Sequence, residues 1–377
     1  MIAAAVVITL LYVLAMLFLL YGFAHVPVFC GKNTAPKCTF SIVIPYRNEA
    51  ENLPSLFSSL LKLNYPSEKF EILAVDDASE DISAEMWKVF LEKNPQLNLR
   101  LLQNIYTSRS PKKDAIALAV SASQFEYIIT TDADCELPEK WLQEFDAFIS
   151  ETGAGAVAGP VALKRKASKM SFLRAFEEMD ILSLQAATIG SFGVKIPFMC
   201  NGANFCYSKK AFLEVKGFEG NNMIASGDDV FLLEKFQKKE LKIAFLKSKE
   251  AVIATAAASG IREMFSQRIR WAGKTSATGN SFGKGLGLLV FLMNFSLSAA
   301  FIAMAFDLFP TSVFMGMFLF KFNVDFLLIY RAANFLGREN SLKSYFWSSI
   351  IYPFFSSLVV ILSIFSGYQW KGRRFRQ

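Results

Sequence analysis

The sequence predicts an α/β chain: a doubly wound, mixed but mostly parallel sheet domain bracketed by N- and C-terminal transmembrane helices. Three observations predict it. Short apolar strands alternate with amphipathic helices between about Gly31 and Gly283. Carboxylates recur just past strand ends, in "VDDAS" at Asp76 and Asp77 and in "TTDADCELP" at Asp132, Asp134 and Glu136. Long uncharged runs lie on either side of this region, in a chain of 377 residues that is 53% hydrophobic.

Met1 to Ala24 holds no charge and is long enough, at 1.5 Å per residue, to cross a hydrocarbon layer of about 30 Å. With no basic n-region and no small-x-small cleavage site near Phe23 to Val28, it reads as an anchor over 1–30 rather than a signal peptide. Gly285 to Phe306 and Ser344 to Trp370 are two further spanning candidates in the C-terminal region 284–377. Between them, Leu308 to Tyr330 carries Lys321 and Asp325, a spacing that pairs them on one helix face. That segment spans the membrane or lies in its interface. Two later spans would keep the Arg-rich tail on the domain's side and three would not; the positive-inside bias favours two.

The domain's elements follow in order. Phe40 to Ile44 is a fully apolar strand ended by Pro45, and Leu53, Leu56, Phe57, Leu60 and Leu61 mark one helix face. Phe70 to Val75 is a second strand, with Ser79 or Asp81 capping the helix after it. "LRLLQN" is a third strand, Lys112 to Ala122 a helix, and "EYIITTDAD" a fourth strand. In such sheets ligands bind beyond the carboxyl ends of the strands, where all these acids fall.

Absent motifs narrow the chemistry. There is no G-x-G-x-x-G after the first strand and no G-x-x-x-x-G-K-[ST], so no glycine-rich loop cradles phosphate. A nucleotide here needs its charge neutralised differently. Mg²⁺ or Mn²⁺ held by Asp132 and Asp134 answers that need, because both cations prefer oxygen ligands and commonly take one or two carboxylates plus substrate phosphates.

Net charge is +7, with basic clusters in Lys164 to Lys169, Lys235 to Lys249, Arg262 to Lys274 and Lys371 to Arg376. Beside membrane segments these mark a cytoplasmic, lipid-facing side. No nucleic-acid-binding motif accompanies them, so nucleic acid is not a partner. Five cysteines without metal-ligand spacing and a single His exclude a zinc site and fit a reducing compartment.

Taken in order, "PYRNE", "VDDAS", "PKKDAI", "TDAD", "NGANFCYSKKAF", "SGDDVFL" and "QRIRW" resemble family-2 glycosyltransferases of the GT-A fold, nearest to bacterial membrane-associated and cellulose-synthase-like members. The resemblance covers Phe40 to about Thr275. It implies a glycosyltransferase domain over 31–283, with a donor half at about 40–135 and an acceptor half at about 136–275. It also implies inverting transfer of a sugar from a UDP- or GDP-linked donor to a lipid or lipid-linked glycan acceptor, at the cytoplasmic face of a bacterial inner membrane.

Residue by residue, Pro45, Tyr46, Arg47 and Glu49 resemble the first nucleotide-contact loop, and Asp77 with Asp76 the acid that meets the base. Lys112 falls at the lysine of a Gly-Lys pair, with Pro111 in the glycine's place. Asp132 and Asp134 match the metal motif, Asp134 as the direct ligand. Asp229 stands at the catalytic base, with Asp228 beside it. Gly202 and Asn204 resemble the acceptor-side turn. Gln267, Arg268, Arg270 and Trp271 resemble the Q-x-x-R-W element that closes over the diphosphate and lines the acceptor channel. The chemistry asks for these types: a carboxylate takes the acceptor hydroxyl's proton, and a metal and guanidinium groups stabilise charge on the leaving diphosphate.

Three alternatives stand beside this reading. A processive polysaccharide synthase usually brings more helices than the C-terminal region supplies. A non-enzymatic membrane scaffold on the same fold would have lost the metal or base acids, and all are present. A nucleotidyltransferase would need a glycine- and basic-rich loop near the first strand, which "PYRNEAEN" does not provide.

Overall fold

A computed structural model describes residues 2–31, 35–165, 171–224, 226–365, 368–370 and 373–375. The chain begins with α1 (Ile2–His25), then β1 (Phe40–Tyr46), α2 (Leu53–Leu60), β2 (Phe70–Asp76), α3 (Ser83–Lys93), β3 (Leu99–Gln103) and α4 (Pro111–Ala122). Next come β4 (Tyr127–Thr130), β5 (Cys135–Glu136), α5 (Trp141–Thr152), β6 (Ala156–Ala158), β7 (Val161–Leu163), α6 (Phe172–Gly193), β8 (Phe205–Ser208) and α7 (Lys209–Glu214). The remainder is α8 (Asp228–Lys238), β9 (Ile243–Phe245), β10 (Ile253–Thr255), α9 (Ile261–Ala277), α10 (Ser281–Met304), α11 (Thr311–Leu336), α12 (Tyr345–Phe365), β11 (Tyr368–Trp370) and β12 (Arg373–Phe375). These elements form two compact units: a sheet unit, Pro27–Arg165 with Met199–Ala256, and a helical unit, Met1–Val26 with Lys166–Phe198 and Ala257–Gln377.

In the sheet unit, a seven-stranded sheet has the order β3-β2-β1-β4-β8-β6-β9. The first four strands are parallel, β8 runs antiparallel to both its neighbours, and β9 is parallel to β6. The mixed, mostly parallel sheet predicted from the sequence is what forms. Strands β1 and β2 are buried along nearly their whole length, as apolar strands at the middle of a covered sheet must be. Behind them, Phe57 of α2 stacks on Phe90 of α3 at 4.1 Å between ring centroids, next to the fully buried Trp87.

Register brings the strand ends level. Tyr46 lies opposite Asp76, while Thr130 at the end of β4 lies opposite Val43. The residues that follow Thr130 therefore run alongside the last turns of β1 and deliver their carboxylates to the same edge. The fourth strand is shorter than the expected "EYIITTDAD". It stops at Thr130, and Cys135 N–H closes a turn onto Asp132 O at 3.1 Å. Glu136 is then carried away on β5, which pairs with β10 in a separate small sheet.

In the helical unit, α1 and α6 pack backbone to backbone. A Cβ on Gly190 would stand 2.4 Å from Leu19 O, and one on Gly193 would stand 1.8 Å from Gly22 O. Only glycine permits that approach, the small-residue device of helices in lipid. Lys321 and Asp325 of α11 form an ion pair one helical turn apart, as their spacing predicts, and Tyr12 of α1 donates to Asp325 at 2.7 Å. Among the described residues, four stretches are long and apolar enough to cross a membrane: Ile2–His25, Ser281–Met304, Thr311–Leu336 and Glu339–Phe365, the last including α12. The expected apolar run to Trp370 is not one helix. Helix α12 runs to Phe365, and Tyr368–Trp370 pairs antiparallel with Arg373–Phe375.

Candidate active site at the carboxyl edge of the sheet

The first ring of the site is a set of interlocked loops. Arg47, just after β1, is buried. Its guanidinium donates to Asp77 O at 2.8 Å and to Ala78 O, and it pairs with Glu80 at 2.6 Å. Asp76 accepts from Ser79 N–H at 3.0 Å, and Asp77 accepts from the Asn104 amide at 2.7 Å. Asn104 also donates to Pro111 O at 3.0 Å, so one amide ties the loops after β2 and β3 to the start of α4. Sequence reasoning passed over Asn104, and only its place directly after β3 marks it. Glu49 accepts from Asn52 at 2.7 Å, while its own N–H is held by Ser83 Oγ at 2.8 Å. The Tyr46 ring packs into the core against Trp87, and burial beside Asp76 raises its hydroxyl pKa above the ordinary range. Pro45 lies within β1.

The second ring brings acids from two separate segments around one ammonium supplied by a third. Pro111 opens α4, where a missing N–H is no loss, and the next residue is Lys112. Its Nζ lies 2.6 Å from Asp132 Oδ1 and 3.4 Å from Asp228 Oδ2. Burial by itself would lower the Lys112 pKa, but the carboxylates of Asp132, Asp228 and Asp229 outweigh it and hold the group firmly charged. Lys113 is 1% exposed and donates to Asn221 O at 2.7 Å and Ile224 O at 2.9 Å, fastening the segment that leads towards α8. Two adjacent lysines in the first turn of a helix oppose its dipole. That misfit is the signal in the sequence that they have partners elsewhere.

Asp134 accepts from Thr255 Oγ1 at 3.3 Å and from the Cys135 thiol at 3.4 Å. Burial and the neighbouring Asp134 push that thiol well above its ordinary pKa, so Cys135 is a neutral donor here. Gly227, at φ 83°, turns the chain into α8, and Asp228 and Asp229 occupy its first turn. Asp229 Oδ1 accepts from Val230 N–H at 2.8 Å and Oδ2 from Gly202 N–H at 3.2 Å. A Cβ on Gly202 would meet Asp228 Oδ2 at 2.8 Å, so any side chain there must shift that carboxylate. Thr130 Oγ1 donates to Gly202 O at 2.6 Å, which locks this turn to the end of β4.

Asn204, expected at the acceptor turn, faces inward instead. It is 0% exposed and donates to Pro160 O at 2.8 Å and Ala251 O at 2.9 Å, while accepting from Trp141 Nε1 at 3.0 Å. With its amide consumed in these bonds, it braces the turn from behind. Glu136 accepts from Ser55 and pairs with Lys164 at 3.3 Å, apart from the other two acids of "DADCE".

The donor set fits a hard divalent cation that brings further ligands with it. Asp132 and Asp134 offer carboxylate oxygens only, and among the described residues no group of three or more His, Cys, Asp and Glu converges to make an all-protein cage.

Gln267, Arg268, Arg270 and Trp271 lie on α9 in the helical unit. Arg268, expected at the diphosphate, is committed elsewhere: it is 5% exposed, its Nε donates to Asp180 Oδ2 at 2.6 Å, and Glu177 lies at 3.8 Å. Burial raises the Glu177 pKa, and Arg268 opposes that rise. These α6 acids were missed by sequence reasoning. The run "EEMD" inside an otherwise apolar helix was the available sign.

The fold and this acid-lined edge define a nucleotide-sugar-type α/β transferase scaffold. Residues 127–365 match the profile described as glycosyl transferase family group 2, and residues 41–212 match glycosyl transferase family 2; the chain belongs to the family-2 glycosyltransferases. Among its relatives are a dolichyl-phosphate β-glucosyltransferase of Dictyostelium discoideum, 32% identical over 28% of this chain and 33% of that protein, and a poly-β-1,6-N-acetyl-D-glucosamine synthase of Staphylococcus epidermidis, 25% identical over 62% and 53%. The match thus spans about a third to a half of these relatives' length. A solved mannosyltransferase from Pyrobaculum calidifontis, in complex with GDP-Man and Mn²⁺, shares the fold with a TM-score of 0.60 at 19% identity, over 93% of this chain and 98% of that one.

Proposed function

We propose that this chain is an inverting, divalent-metal-dependent glycosyltransferase of a bacterial inner membrane, its catalytic face cytoplasmic, moving a sugar from a UDP- or GDP-linked donor to a lipid or lipid-linked acceptor. One observation carries the reading: Lys112, Asp132 and Asp228, from three distant segments, meet within 3.4 Å at the carboxyl edge of the sheet, with Asp229 adjacent. The name of the dolichyl-phosphate relative and the apolar helices support a lipid acceptor.

Asp77 and the chain from Pro45 and Tyr46 at the end of β1 through the loop to Glu49 receive the nucleoside, the Tyr46 ring bracing it from the core and Asp76 and Arg47 holding the loop in shape. Asp134, with Asp132, holds Mg²⁺ or Mn²⁺, which when bound supplies positive charge to the departing diphosphate. Lys112 adds a fixed ammonium at the same edge. Asp229 takes the acceptor hydroxyl's proton on a carboxylate whose two oxygens are oriented by the Gly202 and Val230 N–H groups. The acceptor oxygen bonds to the anomeric carbon as the bond to the diphosphate oxygen breaks. The electron pair leaves on the diphosphate, and a single displacement inverts the centre. Of the two roles their resemblance implies, closing over the diphosphate and lining the acceptor channel, Gln267, Arg270 and Trp271 take the second.

The test is a donor screen with purified full chain in native lipid, reading released nucleotide from UDP- and GDP-sugars with Mg²⁺ or Mn²⁺. Transfer from one donor that disappears in Asp134→Ala supports the reading; no transfer from any donor, with Asp134→Ala behaving identically, sinks it. The match to a poly-β-1,6-N-acetyl-D-glucosamine synthase favours a second reading, processive synthesis. Product length decides between them, since a polymer would exclude single addition.

A further inference from the structure

We propose that Asp180 is a positioning residue for the Gln267–Trp271 element, acting through Arg268 to set the Trp271 ring and the Gln267 amide on α9. The inference rests on the transferase reading for what that element does, but its geometry stands within the helical unit alone.

Arg268 occupies one of the two unspecified places of Q-x-x-R-W, yet it touches two of the three specified side chains. Its guanidinium lies over the Trp271 ring, with Cζ 4.4 Å from the ring centroid, and its Nη1 donates to Gln267 Oε1. Trp271, three residues on, shares its helix face, and the hydrogen bond ties the adjacent Gln267 to the same guanidinium. Something must hold the guanidinium itself, and that is Asp180, at 2.6 Å from Nε.

Asp180 is also anchored on its other side. Its second oxygen accepts from Tyr352 Oη of α12 at 3.2 Å, so one buried carboxylate joins α6, α9 and α12. Glu177, one turn earlier on α6, accepts from Ala258 N–H at 3.1 Å and so fixes the chain just before α9 begins. From Ile261 to Lys274 the buried side chains of α9 are Met264, Arg268 and Ile269, and Phe265 packs on Phe355 of α12 with ring centroids 4.9 Å apart. Arg268 is the one charged side chain among the buried three, so its contacts add direction to that apolar packing.

A purely structural ion pair would behave differently from a positioning one. Removing one partner of a buried pair destabilises in either case, so the difference is read at Trp271 and in the rate, not in stability. Loss of the planar guanidinium alters what rests on it even when charge is kept. Asp180→Asn keeps the shape and removes the charge, Arg268→Lys keeps the charge and removes the plate, and Tyr352→Phe removes only the second anchor.

The experiment uses the full chain in nanodiscs, labelled with 5-fluorotryptophan; the five tryptophans give five ¹⁹F resonances, and Trp271→Phe assigns one. In Asp180→Asn and Arg268→Lys the Trp271 resonance moves, Tyr352→Phe moves it less in the same direction, and Trp87 and Trp141 of the sheet unit stay in place. Calorimetric affinity for GDP and UDP with Mn²⁺ is unchanged. With the donor found in the screen, the transfer rate falls roughly 10- to 100-fold at unaltered donor KM. If Asp180→Asn does not fold, Arg268→Lys and Tyr352→Phe carry the same readouts. An unmoved Trp271 resonance in the folded variants overturns the proposal, as does nucleotide affinity that falls together with the rate. A protein inactive with every donor would refute the transferase reading, and the ¹⁹F result would still decide the positioning.

Discussion

Lys112 Nζ stands 2.6 Å from Asp132 Oδ1 and 3.4 Å from Asp228 Oδ2, a single ammonium joining the acid after β4 to the acid that opens α8. Removing it leaves neighbouring carboxylates without their counter-charge. Lys112→Met is expected to strengthen Mn²⁺ binding by the nucleotide-free protein about tenfold, which corresponds to ~1.4 kcal/mol, while lowering transfer. Mn²⁺ titration followed by electron paramagnetic resonance measures the first effect and released nucleotide the second. Weaker Mn²⁺ binding in the variant would show that Lys112 does not compete with a cation at Asp132.

Asp134 and Glu136 separate two residues apart in sequence. Asp134 accepts from Thr255 at the end of β10, whereas Glu136 is tied to Ser55 of α2 and to Lys164 just after β7. Asp134→Asn is expected to abolish transfer with little change in melting temperature. Glu136→Gln loses one partly exposed ion pair, so stability shifts by less than about 1 kcal/mol and transfer persists. Equal loss of activity in both would mean that the two acids share one task.

Gly202 carries a steric prediction. A methyl there meets Asp228 Oδ2 at 2.8 Å and lies in ordinary contact, 3.6 Å, with Asp229 Cβ, so Gly202→Ala must displace the Asp228 carboxylate. The expected cost is about 1–3 kcal/mol in stability, with a larger fractional loss of transfer than of nucleotide affinity. Gly260→Ala, where a Cβ meets nothing within 4 Å, is the silent control.

The α1–α6 contact predicts a fold-level effect free of chemistry. In Gly190→Leu the first added carbon would sit 2.4 Å from the backbone oxygen of Leu19, which cannot yield as a side chain can. The helical unit should lose about 3 kcal/mol or more, read as a lower thermal midpoint in detergent. Gly316→Ala on α11 has open space and should leave the midpoint unchanged.

Asp229→Asn tests the base. The amide keeps the carboxylate's shape but accepts no proton, so transfer should fall by roughly 10²- to 10⁴-fold while UDP or GDP binding with Mn²⁺ persists. A variant with undiminished transfer would reassign the proton to another group.

Much of this was legible beforehand, for identifiable reasons. β1, β2, β3 and the helices between them follow from apolar runs and helical periodicity, which are local properties. The acids at Asp76 and Asp132 were legible because motif and strand end coincide, and Asp228 because its motif opens a helix. Lys321 and Asp325 announced their pair by spacing alone. Illegible were Asn104, whose amide bridges two loops, and Asn204, whose buried bonds reverse its expected direction. Arg268 belongs with them, since a motif of five letters does not say which arginine faces inward.

The sequence by itself determined the elements, their order, the apolar stretches and the residue types that the chemistry requires, because each depends on neighbours within a few positions along the chain. Tertiary structure alone decided which charge meets which. It set Lys112 between Asp132 and Asp228, turned Arg268 towards Asp180, and brought the Asp228 carboxylate up against Gly202. Those pairings join segments tens of residues apart, and they form only where strand register and helix packing bring the side chains within a few ångströms.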